Sequence, residues 1–194
     1  GKFSVKLEKT YEPKPKGIGL VIGCSTFPVW NSLPGIYASL ITGNAVLVKP
    51  HPKAILPIAI CVAAIQHTLT ENGFDPNTVQ LAADSAKHPI TKELATHPAV
   101  KLIDYTGSTA FGNYIETIPG KTVFTEKAGV NSVIFDSVKE LEPVLQNLAF
   151  SVSLYSGQMC TAPQNIFIPE LVAVGDQFLS FDEVVTQLKD AFNN

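Results

Sequence analysis

Gly17-Ile18-Gly19-Leu20-Val21-Ile22-Gly23, followed by Ala45-Val46-Leu47-Val48-Lys49-Pro50, decides the fold. In both stretches neighbouring residues, not alternate ones, are apolar. A strand with one wet face alternates apolar and polar side chains, whereas a strand buried on both faces reads as a continuous apolar run. Between the two runs, Phe27-Pro28 opens a segment to Ile41 with helical apolar spacing, and Gly43-Asn44 closes it. That pair suits a helix C-terminus. Buried strand, helix, buried strand is the repeating unit of an α/β fold, a parallel sheet with helices on both faces.

The same alternation continues outward. Residues 1–16 are lysine-rich, interrupted by Pro13 and Pro15, and read as an exposed strand or linker. After Lys49, the spacing predicts a helix over 54–71 stopped by Asn72-Gly73, a strand over 78–82 and a helix over 91–96. A strand over 100–105 then leads through the Thr106-Gly107 turn into a helix over 108–118. Strands at 121–125 and 132–135, a helix over 141–155, a strand at 164–168 and a helix over 181–192 complete the pattern. Ligands of such sheets bind beyond the carboxyl ends of the strands. That rule singles out Cys24 to Phe27, Lys49 to Lys53, Thr106 to Ser108, and Glu126.

Composition narrows the function classes. Of 194 residues, 45% are apolar and 16% charged, against a typical charged share of ~25%. This excludes an intrinsically disordered chain, and the mean hydropathy of +0.19 points to apolar surface awaiting cover. All 14 basic residues are lysines and the net charge is −3. A nucleic-acid binder with arginine forks is therefore not expected, and phosphate must be held by lysine, hydroxyl or backbone N–H. The three cysteines, Cys24, Cys61 and Cys160, form neither a disulfide framework nor a zinc motif, so a reducing, cytoplasmic setting is expected. The longest apolar stretch, residues 54–65, contains a proline and is too short to span a bilayer, so no membrane partner is expected.

Four constellations are placed to carry chemistry. Lys49 and Lys53 flank Pro50-His51-Pro52; a lysine at a strand end reaches a ribose or phosphate, or is a solvated turn lysine. Gly107-Ser108 begins a helix, where free N–H groups and the dipole suit a phosphate, although Ser108 serves equally as an N-cap. Cys160, in Gly157-Gln158-Met159-Cys160-Thr161, is a reactive thiol or a buried structural one. Glu126 near the ligand edge is a general base or an exposed turn carboxylate. Neither the GxGxxG nor the Walker phosphate loop is present.

Taken in register, these segments resemble the aldehyde dehydrogenase superfamily from about Gly17 to Ile168. Thr42-Gly43-Asn44 to Lys49-Pro50 resembles its "GN-apolar run-KP" segment, and His97-Pro98 through Thr106-Gly107-Ser108 its "HP-V…TGS" segment. Glu126 resembles the glutamate of "ELGG", and Gly157-Gln158-Met159-Cys160 the "GQ-x-C" nucleophile motif, 34 residues further on. Within the superfamily, residues 23–31 with Lys49-Pro50-His51-Pro52 look most like the PaaN-type branch of phenylacetic acid degradation. The resemblance implies a Rossmann-like parallel sheet flanked by helices over residues 1–127, binding NADP or NAD, and the start of a second α/β, catalytic domain over 128–194. It implies that Cys160 attacks an aldehyde, that Glu126 activates water against the resulting thioester or shuttles the cysteine proton, and that Lys49, Gly107, Ser108, Phe27 and Lys53 hold the cofactor.

The departures are informative. The family's oxyanion-hole asparagine falls on Thr26, with Trp30-Asn31 as a displaced alternative. "LGG" becomes Lys127-Ala128-Gly129. The ribose glutamate that favours NAD falls on Pro52, so NADP is expected to be accepted at least as well as NAD. Two other functions stay open: transfer of the thioester to coenzyme A, and an inactive nucleotide-binding or assembly module of the same fold. Family members extend beyond both ends of this pattern. The chain is therefore expected to be part of a larger homo-oligomeric protein, inactive by itself and prone to self-association.

Overall fold

In a computed structural model, residues 3–193 are described. β1 (Ile18–Ile22) lies at the centre of a five-stranded sheet. Its partners are β2 (Ala45–Lys49) and β4 (Val100–Gly107), flanked by β3 (Val79–Leu81) and β5 (Thr122–Lys127); the order is β3-β2-β1-β4-β5 and every pairing is parallel. The strands are linked by α1 (Pro28–Ile41), α2 (Ile55–Glu71), α3 (Thr91–Thr96) and α4 (Thr109–Glu116).

The absence of period-two alternation now has its cause. Leu20 and Ile22 pack with Ile103, Tyr105, Ala95 of α3 and Ile115 of α4. Val21, between them, points the other way, to Val46, Val48, Ile36 of α1 and Ile58 and Val62 of α2. Both faces of β1 are dry, and each such aliphatic side chain contributes about 1.5–3 kcal/mol of burial free energy.

Gly43-Asn44 does more than end α1. Gly43 has φ +80°, which only glycine adopts without strain. The buried Asn44 side chain accepts hydrogen bonds from the backbone N–H of Lys16 (2.7 Å) and Gly17 (3.1 Å), and donates to Thr42 Oγ1 (2.9 Å). It ties the start of β1 to the turn before β2, fixing the register of the central pair.

The chain divides into two units, Gly1–Lys127 and Ala128–Asn194. In the second, β6 (Asn131–Ile134) pairs in parallel with β8 (Pro163–Phe167). β7 (Ser137–Val138), β9 (Leu171–Val174) and β10 (Gln177–Ser180) form a separate small sheet. α5 (Leu141–Ser153) and α6 (Phe181–Asn193) enclose a core of Phe135, Leu145, Leu148, Val172, Val184 and Leu188.

The differences from the sequence reading are local. β7 and the β9–β10 hairpin are not in it, because strands of two to four residues carry too few positions to show a period. The Gly175-Asp176 turn, with Gly175 at φ +56°, was the available signal. β5 runs on through Glu126, since the ladder with β4 continues to Thr106↔Glu126 and Gly107↔Lys127. The helix expected to reach Tyr155 ends at Ser153, because Tyr155 and Ser156 are left-handed.

Asn44→Ala leaves two partly buried N–H groups without an acceptor. The intact protein carrying this substitution is expected to lose about 2 kcal/mol of stability, measured by chemical denaturation.

Candidate active site

The strand order reverses between β1 and β4, with α1 and α2 on one face and α3 and α4 on the other. Their loops diverge there and leave a crevice at the carboxyl ends of the strands. The crevice is a cavity of about 510 Å³ whose walls include Ile22, Gly23, Lys49, His51, Gly107, Ser108 and Phe111. That volume falls within the range of small-molecule sites. Of the expected cofactor residues, Lys49, Gly107 and Ser108 converge on it, whereas Phe27 and Lys53 are not among its lining residues.

Lys49 is the last residue of β2 and is only 5% exposed. Its ammonium lies 2.7 Å from Asp84 Oδ1, in the loop after β3, and the Asp84 side chain is 1% exposed. Asp84 Oδ2 accepts the N–H of Ile90 (3.1 Å). Lys49 is thus not a solvated turn lysine, and its charge is already countered. His51 accepts the N–H of Lys53 at Nδ1 (3.1 Å). Burial first, then the charges of Lys49 and Lys53, hold its imidazole below the usual histidine range, with Asp84 opposing them.

Ser108 fulfils its capping role: its side chain accepts the N–H of Phe111 at 3.5 Å, while Tyr105 donates to its carbonyl at 3.0 Å. The hydroxyl stays exposed at the mouth of the crevice, so capping and ligand contact are compatible. A Cβ on Gly107 would collide with the Tyr105 ring, so the backbone must stay bare at that turn.

Glu126, near the end of β5, accepts a hydrogen bond from Asn31 Nδ2 of α1 (3.1 Å). Cys24 Sγ, after β1, lies 3.6 Å from Thr26 Oγ1 and 3.8 Å from Asn31 Oδ1. The displaced asparagine therefore touches the candidate base, and the threonine touches the neighbouring thiol. Asp104, two residues before the Thr106 that pairs with Glu126, shares that face and packs on Gly35, where an added Cβ would come within 2.6 Å of Oδ2. Burial, and then the charge of Glu126, hold the Asp104 carboxyl above its usual range. Lys127 projects to the opposite face, where it donates to Glu116 (2.7 Å) and Asn113 (2.9 Å) of α4. Its departure from the family pattern ties β5 to α4 and does not alter the face Glu126 occupies.

In the second unit, Cys160 is exposed on a turn before β8. Its carbonyl, and that of Ala162, accept hydrogen bonds from Asn131 Nδ2 (2.6 and 3.2 Å). One amide at the start of β6 thereby pins both ends of the turn. Upstream, Tyr155 (φ 51°), Ser156 (φ 59°) and Gly157 (φ 72°) are all left-handed, a conformation costing about 1–2 kcal/mol per non-glycine residue. Among the described residues no group of His, Cys, Asp or Glu is placed to hold a metal ion, and no helix is long and apolar enough to cross a membrane.

The family description "Aldehyde dehydrogenase family" matches residues 5–191. This chain therefore belongs to the aldehyde dehydrogenase family. Among curated relatives, 1-pyrroline-5-carboxylate dehydrogenase of Bacillus subtilis (strain 168) is 30% identical over 186 residues, covering 90% of this chain and 33% of the relative. Among solved structures, an NAD-dependent aldehyde dehydrogenase from Burkholderia multivorans is 50% identical with a TM-score of 0.87, covering 93% of this chain and 33% of that one. An NADP-dependent glyceraldehyde-3-phosphate dehydrogenase from Bacillus halodurans C-125, complexed with NADP, is 27% identical with a TM-score of 0.75, covering 92% and 34%. The chain spans about a third of the length of these proteins. The parallel sheet with helices on both faces agrees with the fold expected from the sequence.

Asp84, Asp104 and Asn131 escape the sequence reading. Each acts across the fold from a position without a motif, and only Asp84, a lone acid after a short strand, lay at a strand end.

Asp104 also sets a pH dependence. Its folded-state carboxyl titrates above the unfolded value, so it is destabilising once ionised, and stability is lost as pH rises through the folded value. Asp104→Asn is expected to raise the denaturation midpoint of the intact protein at pH 7–8. The difference should vanish below the ordinary aspartate value of about 3.9, as followed by thermal denaturation across pH.

Proposed function

We propose that this chain carries the cofactor-binding unit (1–127) and the nucleophile-bearing start of the catalytic unit (128–194) of an NAD(P)-dependent aldehyde dehydrogenase. The observation that carries the reading is the convergence of Lys49, Gly107 and Ser108 on one crevice at the sheet's switch point. The residues fit a dinucleotide: an ammonium for ribose hydroxyls, a bare Gly107-Ser108 turn at a helix N-terminus for phosphates, and apolar Ile22 and Phe111 walls. When bound, the nicotinamide supplies a hydride acceptor.

The remaining chemistry falls to the chain. Cys160 Sγ attacks the aldehyde carbon as thiolate, forming the C–S bond while the carbonyl oxygen takes up negative charge. Thr26 Oγ1 is the proposed donor to that oxyanion. After loss of the hydride, the substrate is a thioester on Cys160. Glu126, oriented by Asn31, accepts a proton from water as its oxygen attacks the acyl carbon; the C–S bond breaks and the carboxylic acid leaves. Phe27 and Lys53 are proposed cofactor contacts from outside the crevice lining. Pro52 puts no carboxylate beside the ribose, so NADP is proposed to be accepted at least as well as NAD.

The substrate class we assign is an aldehyde from aromatic-acid catabolism, in a cytoplasmic homo-oligomer. Its support is the PaaN-like sequence of residues 23–31 and 49–52. Two of the relatives are named for other substrates, 1-pyrroline-5-carboxylate and glyceraldehyde-3-phosphate.

In the intact protein, Cys160→Ala is expected to lower aldehyde oxidation by about 10³-fold or more, with NAD(P) binding retained in calorimetric titration. Turnover that survives overturns the mechanism. Product analysis with and without coenzyme A decides between acid and thioester: a free acid in both supports hydrolysis, and an acyl-coenzyme A product overturns it.

A further inference from the structure

The Lys49–Asp84 pair is more than an anchor. Lys49 stands at the end of β2, in the wall of the crevice, and is itself 5% exposed. Asp84 stands behind it, its side chain 1% exposed and 2.7 Å from the ammonium. One Asp84 oxygen is held by the Ile90 N–H. The other, Oδ1, is enclosed and, among the described residues, has no hydrogen-bond partner besides the contact with the ammonium. A buried ion of either sign is costly without its counter-ion, so the two charges stand or fall together. One ammonium proton is committed to Asp84, which leaves others to meet ligand oxygens from the crevice side.

We propose that Asp84 is a specificity-determining positioning residue: it neutralises and aims Lys49, so that the lysine reads ribose hydroxyls as a hydrogen-bond donor and gives a 2′-phosphate little net attraction. This rests on the reading of the crevice as a dinucleotide site. An ordinary free lysine would favour a dianionic 2′-phosphate by charge alone. The pair has no net charge, and the Asp84 carboxylate offsets part of the ammonium's field on the crevice side. What remains to favour NADP is the absence of an acid at Pro52, together with Lys53, which is exposed. Asp84 thereby limits the advantage NADP gains from a lysine-rich turn. It takes up, from a loop remote in sequence, part of the role that an acid at position 52 would have.

The test is a double-mutant cycle on the intact protein, read by equilibrium calorimetric titration with NAD and with NADP in the absence of aldehyde. Asp84→Asn keeps the shape and an acceptor for the Ile90 N–H. It unmasks the ammonium, and the affinity ratio is expected to move toward NADP by roughly tenfold. Lys49→Gln unmasks the Asp84 carboxylate, and the ratio moves toward NAD by a similar factor. The double variant carries neither charge and returns the ratio to within about threefold of the unaltered protein. If Asp84→Asn does not fold, Lys49→Gln and the double variant suffice, since recovery of the ratio between them is the signature of a neutral pair. A ratio unchanged in Asp84→Asn, or a double variant as selective as Lys49→Gln, overturns the inference while leaving the nucleotide site intact. Binding of neither nucleotide by the unaltered protein overturns the site reading, and this inference with it.

Discussion

The first unit depends on the burial of β1 on both faces. Leu20 and Ile22 pack against the α3–α4 layer and Val21 against the α1–α2 layer. The neighbours of β1 on each side are parallel, and a parallel neighbour can be reached only by a crossover, here a helical one. With β2 and β3 on one side and β4 and β5 on the other, the crossovers go to opposite faces. The crevice at the carboxyl end of β1 is the geometric result. Asn44 supports this arrangement by satisfying the backbone where β1 begins.

Around the carboxyl ends of the strands each charge is answered by a partner, and in the crevice wall the pair is buried. Lys49 and Asp84 meet at 2.7 Å inside the fold. On the α1 face, Asn31 holds Glu126 and Asp104 lies alongside, its carboxyl raised by burial and by its neighbour. On the opposite face, Lys127 engages Glu116 and Asn113. Strand alternation separates the last two arrangements. Glu126 and Lys127 are adjacent in sequence but face opposite layers, so a change at position 127 leaves the glutamate's side of the sheet undisturbed.

Around Cys160 the backbone is controlled differently. Two left-handed non-glycine residues precede Gly157, and Asn131 fastens the carbonyls on either side of Thr161. Strain in the approach and a clamp on the turn are how a fold holds an exposed loop residue in one conformation. Neither feature has a sequence period. Tyr155 and Ser156 are ordinary residues for a helix end, and Asn131 lies just ahead of the strand that the sequence shows from Ser132.

The sequence by itself determined the layered α/β architecture, the order of the principal elements and the four segments proposed to bear chemistry. Apolar runs, helical spacing and Gly-Asn punctuation are local consequences of burial and backbone sterics, which each segment carries wherever it is placed. Tertiary structure alone decided which polar groups meet. That Asp84 lies behind Lys49, that Asn31 reaches Glu126 and that Asp104 rests on Gly35 follow from strand register and helix packing between residues distant in the chain. A charge's effect depends on its partner and on the water excluded around it, and neither is written in the segment that carries the charge.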